Sequence, residues 1–276
     1  CMTRPRALIT GAGSGLGRAL AHRYARAGYD VCVAELIPER AEAVVAELGG
    51  HGGAHFAVRV DVGDDASVEA MRDAVRARWD GFDVLINNAG VASAGSIADS
   101  SLDDWRWVTN IDLFGVVRGM KAFAPMFQKQ RRGHVLSTAS FAGIAGAPGI
   151  ASYGVAKAGV IALSEALRAE MEPFGVKVSV ICPSFFKTNL LETARGPNTQ
   201  FAGVAAKLMD NAKESADDIA DYVFKAQQRG EFMIIPTGPE RLRWRLKRWF
   251  PEYYFRKLIA FTKHMQQKAT AARERA

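Results

Sequence analysis

The chain has 276 residues, 49% of them hydrophobic and 24% charged, enough for one large globular domain with a sizeable core. No apolar run reaches the roughly 18 residues that a membrane-spanning helix needs. The net charge of +7 sits in the last stretch, where eleven Lys and Arg stand against three Glu from Glu240 onward, so the remainder is close to neutral and gives no reason to expect a nucleic-acid partner. The cysteines, Cys1, Cys32 and Cys182, are few and scattered, which argues against a disulfide framework and for a reducing, cytoplasmic setting. Arg4 and Arg6 flank Pro5 ahead of a short apolar strand, unlike the long apolar region of a secretion signal. No metal site is expected.

In chain order, a first strand over Ala7–Ile9 runs into TGAGSGLG, Thr10–Gly17, which opens a helix over Gly17–Ala27. Glycines between a strand and a helix let backbone N–H groups approach a pyrophosphate, and the helix N-terminus favours its charge. The spacing is GxxxGxG, from Gly11, Gly15 and Gly17, with Leu16 where the GxGxxG pattern has its third glycine. A plain flexible turn is the competing reading. The second strand, Val31–Ala34, ends at Glu35. A carboxylate there can accept hydrogen bonds from both ribose hydroxyls of an adenosine and repels a 2′-phosphate, so NAD is favoured over NADP. An ordinary solvated glutamate is the alternative.

A helix over Pro38–Leu48, a strand over Phe56–Val60 and a helix over Ala66–Trp79 follow, then strands over Val84–Ile86, His134–Leu136 and Val176–Ile181. Between the last two runs a helix over Tyr153–Glu172. A further helix starts near Ser215 and a seventh strand covers Phe232–Ile235, while the strand-poor segment 193–211 is a candidate lid. The strands are near-continuous apolar runs, as buried parallel strands are. Repeated βαβ units of this kind predict an α/β fold: a single Rossmann-type, doubly wound parallel sheet of about seven strands with helices on both faces.

Tyr153 and Lys157 lie one helical turn apart, among the small residues Ala151, Ser152, Gly154, Ala156, Ala158 and Gly159. The ammonium favours the phenolate, as would a positive nicotinamide, so Tyr153 can exchange a proton with an alcohol or a ketone. A surface Tyr–Lys pair is the alternative.

The ordered set TGxxxGxG, Asp61-Val62, Asn87-Asn88-Ala89-Gly90 and Tyr153-x-x-x-Lys157 resembles the short-chain dehydrogenase/reductase family, from Ala7 to about Ile235. The resemblance implies an oxidoreductase acting on CH–OH groups with a dinucleotide held by Gly11, Ser14, Gly15, Leu16 and Gly17, with Glu35 on the ribose. It implies that Asp61 meets the adenine amino group with Val62 beside the ring, and that Asn88, Ala89 and Gly90 line the adenosine ribose. It makes Tyr153 the general acid/base, Lys157 its partner and ribose clamp, and Ser140, in STASFAG, the catalytic serine, with Ser137 as a competitor. Asn110, in WVTNIDLFG, matches the asparagine that distorts a helix and holds a relay water. In PSFFKT, Pro183, Phe186 and Thr188 match the segment that contacts the nicotinamide, with Ser184 where the family has glycine. Phe141, Ala147, Phe185 and the loop after Thr188 are expected to shape a pocket for a bulky, apolar alcohol or ketone. The resemblance further implies a homodimer or homotetramer.

Residues 1–238 thus read as the dinucleotide-binding and catalytic domain and 239–276 as a basic amphipathic helical extension. Pro251 is expected to break the extension into two helices. Leu242, Leu246, Trp249, Phe250 and Tyr253 form one apolar stripe on a helix, with basic residues opposite. The stripe fits packing on the body or on a partner subunit, or else a peripheral membrane contact for an enzyme acting on a lipid-like substrate. A dinucleotide-binding scaffold without turnover is the remaining alternative.

Overall fold

The computed structural model describes residues 4–186, 195–196 and 211–273. Seven strands form one fully parallel sheet in the order β3-β2-β1-β4-β5-β6-β7. They are β1 (Arg6–Thr10), β2 (Asp30–Glu35), β3 (Phe56–Arg59), β4 (Val84–Asn87), β5 (Gly133–Thr138), β6 (Val176–Ile181) and β7 (Met233–Ile234). The helices are α1 (Gly15–Arg26), α2 (Pro38–Leu48), α3 (Asp65–Arg78), α4 (Leu102–Thr109), α5 (Gly115–Gln130), α6 (Ala142–Ala145), α7 (Ala151–Met171), α8 (Ala216–Gln228), α9 (Gly238–Trp249) and α10 (Pro251–Arg273). Every expected strand forms. The bounds differ by a residue or two: β3 stops at Arg59, and α7 starts at Ala151, two residues before Tyr153.

Strand alternation divides the core into layers. Ala7 and Ile9 of β1 pack with residues of α1, α2 and α8 on one face of the sheet. Leu8 packs on the other face with residues of α3, α5 and α7, where Phe82, Phe123 and Phe127 meet edge to face. The strand order reverses between β1 and β4, so the connections leaving these two strands diverge and open a crevice at their C-terminal ends.

Between α4 and α5 the helix widens into a π turn, Asn110–Phe114. Such turns commonly mark functional positions.

α9 and α10 follow β7, and Pro251 opens the second of them after Phe250 leaves helical geometry (φ −136°, ψ 61°), so the break falls where proline placed it. The apolar stripe is not the docking face. Leu242, Trp249, Phe250 and Tyr253 are exposed. Contact with the body runs through Trp244, packed against the core, through Arg241, which donates to the Ile235 carbonyl, and through Lys247, whose ammonium donates to the Ile144 carbonyl, Tyr254, whose hydroxyl donates to Ala145 O at 3.0 Å, and Phe255, beside Gly146. Lys247 and Tyr254 can lay their stems on α6 while reaching its carbonyls. Among the described residues no helix is long and apolar enough to cross a membrane.

His134, at the start of β5, is 4% exposed and links three elements. Its Nε2 lies 2.7 Å from Ser179 Oγ on β6, and Gln227 of α8 approaches Nδ1 at 3.1 Å. Ser179 Oγ spends its own proton on Glu231 O, so the imidazole is neutral, with Nε2 the donor and Nδ1 the acceptor. Burial, with Lys177 nearby, lowers its pKa from 6.5 to about 4. A depressed folded-state value favours the native state above the unfolded pKa, and that contribution fades as pH falls from 6.5 towards 4. Urea unfolding at pH 7 and pH 4.5 should therefore show the wild type losing about 2–3 kcal/mol more than His134→Gln over the same interval.

Candidate active site

The glycine loop leaves β1 in a path that only glycine permits. Gly11 has φ +62°, and a Cβ there would lie 2.7 Å from Ala89 Cα, while one at Gly17 would lie 2.0 Å from the Gly11 carbonyl oxygen. α1 then starts at Gly15, and Ser14 makes no side-chain cap, so the first N–H groups of the helix keep their capacity for an anion. Leu16 buries its side chain in the core, leaving its backbone to the loop. Glu35, at the end of β2, accepts the Gly13 N–H at 3.0 Å and the Leu36 N–H at 2.9 Å. Its carboxylate thus stands beside the loop, where a ribose would lie if a pyrophosphate sat on α1.

The neighbouring strand ends complete a cradle. Asp61 caps its own turn through the Gly63 N–H at 2.8 Å, and Val62 beside it is buried. Asn88 is committed to the scaffold: its amide donates to Thr10 O at 3.1 Å and Gly11 O at 3.3 Å, and its Oδ1 accepts from Thr138 at 3.2 Å. Thr10 Oγ1 in turn accepts the N–H groups of Asn88 and Ala89 at 2.9 and 3.1 Å. These bonds fasten β1, β4 and β5 together at the reversal point. Thr10 opens the TGxxxGxG motif, but Thr138 is not singled out by the sequence, where a lone threonine at a strand end carries no signal. Pro183 accepts the Phe141 N–H at 2.8 Å, and Phe186 is buried in the core. Thr188 lies outside the described residues.

Tyr153 and Lys157 project from the first turns of α7, and Ser140 from the connection after β5. The Lys157 ammonium lies 5.7 Å from the Tyr153 ring centroid and donates to Thr138 O at 3.1 Å. Ser140 Oγ accepts the Ala142 N–H at 3.1 Å and is near enough to the Tyr153 hydroxyl to favour its ionisation. Ser137, by contrast, is buried within β5.

Asn110 is not beside Lys157. Its Nδ2 donates to Gly63 O at 2.9 Å and its Oδ1 accepts from Arg118 at 2.8 Å, which ties the π turn to the connection after β3. Asp112 occupies the place beside the lysine instead, with Oδ2 3.2 Å from Lys157 Nζ and Oδ1 accepting the Val91 N–H at 2.8 Å. Residues two apart on a helix face opposite sides, so the relay assignment fell on the right element and the wrong face. The available signal was the charge of Asp112 between Ile111 and Leu113-Phe114, since a carboxylate in an apolar run is buried only with a partner.

The electrostatics also depart from expectation. Burial raises the Tyr153 phenol above its usual range; Lys157 and Ser140 oppose this, and Asp112 reinforces it. Burial alone would depress the Lys157 ammonium, but Asp112 and Tyr153 outweigh it and leave the lysine raised.

The sequence matches the short chain dehydrogenase family over residues 5–198. It is 39% identical over 183 residues to a meso-2,3-butanediol dehydrogenase of Serratia marcescens, covering 66% of this chain and 72% of that protein. It is 30% identical over 241 residues to a probable oxidoreductase EphD of Mycobacterium tuberculosis, covering 84% of this chain and 40% of that longer protein. In structure it resembles a short-chain dehydrogenase/reductase of Burkholderia phymatum solved with NAD, with a TM-score of 0.84, 30% identity, and 91% of this chain and 95% of that one covered.

Because a methyl group at position 17 would collide with the loop's own carbonyl, Gly17→Ala should weaken binding of the nicotinamide dinucleotide at least about tenfold in calorimetry, with the circular dichroism spectrum retained.

Proposed function

The chain belongs to the short-chain dehydrogenase/reductase family, and we propose that it is an NAD-dependent enzyme interconverting a secondary alcohol and a ketone, with Tyr153 as general acid/base. It is an oxidoreductase acting on CH–OH groups with a nicotinamide dinucleotide. The observation that carries the finer reading is the meeting of Tyr153, Lys157 and Ser140 at the same strand edge as the glycine loop and Glu35.

The cradle fits such a cofactor by its chemistry. The backbone of Gly11, Ser14, Gly15, Leu16 and Gly17 would hold the pyrophosphate at the start of α1. Glu35 would take the ribose hydroxyls in exchange for its present backbone partners, and its negative charge supports NAD over NADP. Asp61 and Val62 would flank the adenine, Ala89 and Gly90 would line the ribose, and Pro183 and Phe186 would lie near the nicotinamide with Thr188. When bound, the dinucleotide takes up the hydride from the carbinol carbon. Ser140 would hold and orient the substrate oxygen. Tyr153 would take the hydroxyl proton in oxidation and return it in reduction, and Lys157 would hold a ribose hydroxyl and stabilise the phenolate. Phe141, Ala147 and Phe185 suit a bulky apolar substrate, whereas the butanediol relative makes a small vicinal diol the first compound to try. We carry the family's homodimer or homotetramer over as part of the same reading.

A second reading adds an anionic membrane surface. It is favoured by the exposed Trp249, Phe250 and Tyr253 on a chain end that also carries Arg245, Arg248, Arg256 and Lys257. Flotation with anionic vesicles should recover the wild type and lose Trp249→Ala/Phe250→Ala; equal behaviour of the two proteins would remove this reading.

In an NADH-absorbance screen over secondary alcohols, Tyr153→Phe should lose about 10²–10⁴-fold in kcat while binding NAD as the wild type does. Retained turnover would refute the assignment. Glu35→Ala should narrow the preference for NAD over NADP by about tenfold in kcat/KM.

A further inference from the structure

The family reading above accounts for Tyr153, Lys157 and Ser140 and leaves Asp112 without a task. Asp112 is wholly buried and Lys157 is 4% exposed. A carboxylate taken this far from water requires a partner, and so does an ammonium. Each supplies the other at 3.2 Å. The pair is fixed from three sides: the π turn carries the acid, α7 carries the lysine, and the backbone after β4 closes the gap. At Gly90 a Cβ would come within 3.1 Å of Lys157 Nζ and 3.2 Å of Asp112 Oδ1, so a side chain there would press on both groups. The other groups facing the lysine are Tyr153 on its own helix, the Thr138 carbonyl at the end of β5, and the Cys182 thiol after β6, which burial pushes up to about 12 and so keeps neutral. Those facing Tyr153 are Lys157, Asp112 and Ser140.

We propose that Asp112 is a positioning residue that cancels the Lys157 charge beside Tyr153, so that Tyr153 gives up its proton only when a positively charged, oxidised nicotinamide arrives. This rests on Tyr153 being the proton-transfer group. The physical content is a charge count. With Asp112 ionised the buried pair is neutral, and the phenolate has no net positive charge to lean on. The lysine alone would give the site a standing positive charge and let the phenol ionise in the empty protein. The pair therefore ties the ionisation of Tyr153 to the redox state of the cofactor, which suits a base needed only for alcohol oxidation.

The isosteric change Asp112→Asn tests this, because asparagine can still accept the Val91 N–H through Oδ1 and places a neutral amide nitrogen where the carboxylate faced Lys157, whose ammonium keeps the Thr138 carbonyl. Phenolate absorbance is titrated as a difference, wild type minus Tyr153→Phe, and Asp112→Asn minus Asp112→Asn/Tyr153→Phe, which isolates Tyr153 without any substrate. The expected result is a midpoint about one pH unit lower, tenfold in the ionisation constant, in the Asp112→Asn background, with NAD still bound in calorimetry. The acid limb of alcohol oxidation should move the same way. An unmoved midpoint would overturn the proposal, since residue 112 would then act as a neutral hydrogen-bonding group. The unaltered protein gives a check that survives if the variant fails to fold. Tyr153 should titrate at or above the ordinary phenol value of about 10 in the empty enzyme and with NADH, and lower only with NAD. A midpoint well below that in the empty enzyme also overturns it. These titrations stand apart from turnover: if Tyr153→Phe stays active, the assignment of Tyr153 itself fails, whatever Asp112 does.

Discussion

A lysine side chain shut away from water must recover from the protein what hydration would have supplied, and the site is organised around that need. The Lys157 ammonium recovers it from the Thr138 carbonyl and the Asp112 carboxylate. Each partner constrains a different element. Thr138 ends β5, so α7 has to lie over that strand end. Asp112 sits in the π turn, so the α4–α5 helix has to widen there to aim an acid at α7. Breaking either partner would leave a buried charge uncompensated, a larger penalty than the pair is worth in net stability.

The sheet topology explains why these groups meet. All seven strands are parallel, so their C-terminal ends form one rim, and the reversal between β1 and β4 opens that rim into a crevice. Thr10 and Asn88 seal the reversal point with side chain to backbone hydrogen bonds, and the glycine loop passes through the space that remains. The same rim presents Glu35, Asp61, Ser140 and Pro183 from successive strand ends. A proton-transfer residue and an anion-binding helix N-terminus thus share one edge, although they are far apart along the chain.

The last two helices obey different rules. They touch the body through α6, by Lys247, Tyr254 and Phe255, close to the segment that follows Ser140. Trp244 packs against the core, whereas Leu242, Trp249, Phe250 and Tyr253 stay exposed. An apolar stripe on a helix states that something apolar belongs there, without stating what.

Sequence determined the order and type of the strands, because a parallel strand buried on both faces must read as a short apolar run. It also determined the glycine loop, since a turn that collides with any Cβ leaves only one residue type, and the break at Pro251, since proline fixes its own φ and donates no hydrogen bond. The one-turn spacing of Tyr153 and Lys157 was legible for the same local reason. Tertiary structure decided which side chain of the π turn faces the lysine, because the buried charge of Asp112 called for a partner without saying which, and the widened turn aims Asp112 and not Asn110 at α7. It alone decided the sign of the shift at Tyr153, which depends on burial and on a charge 41 residues away in the chain. And it decided that Trp244, Lys247, Tyr254 and Phe255, and not the exposed part of the apolar stripe, dock these helices, because α6 offers carbonyls that its own short helix leaves for other donors.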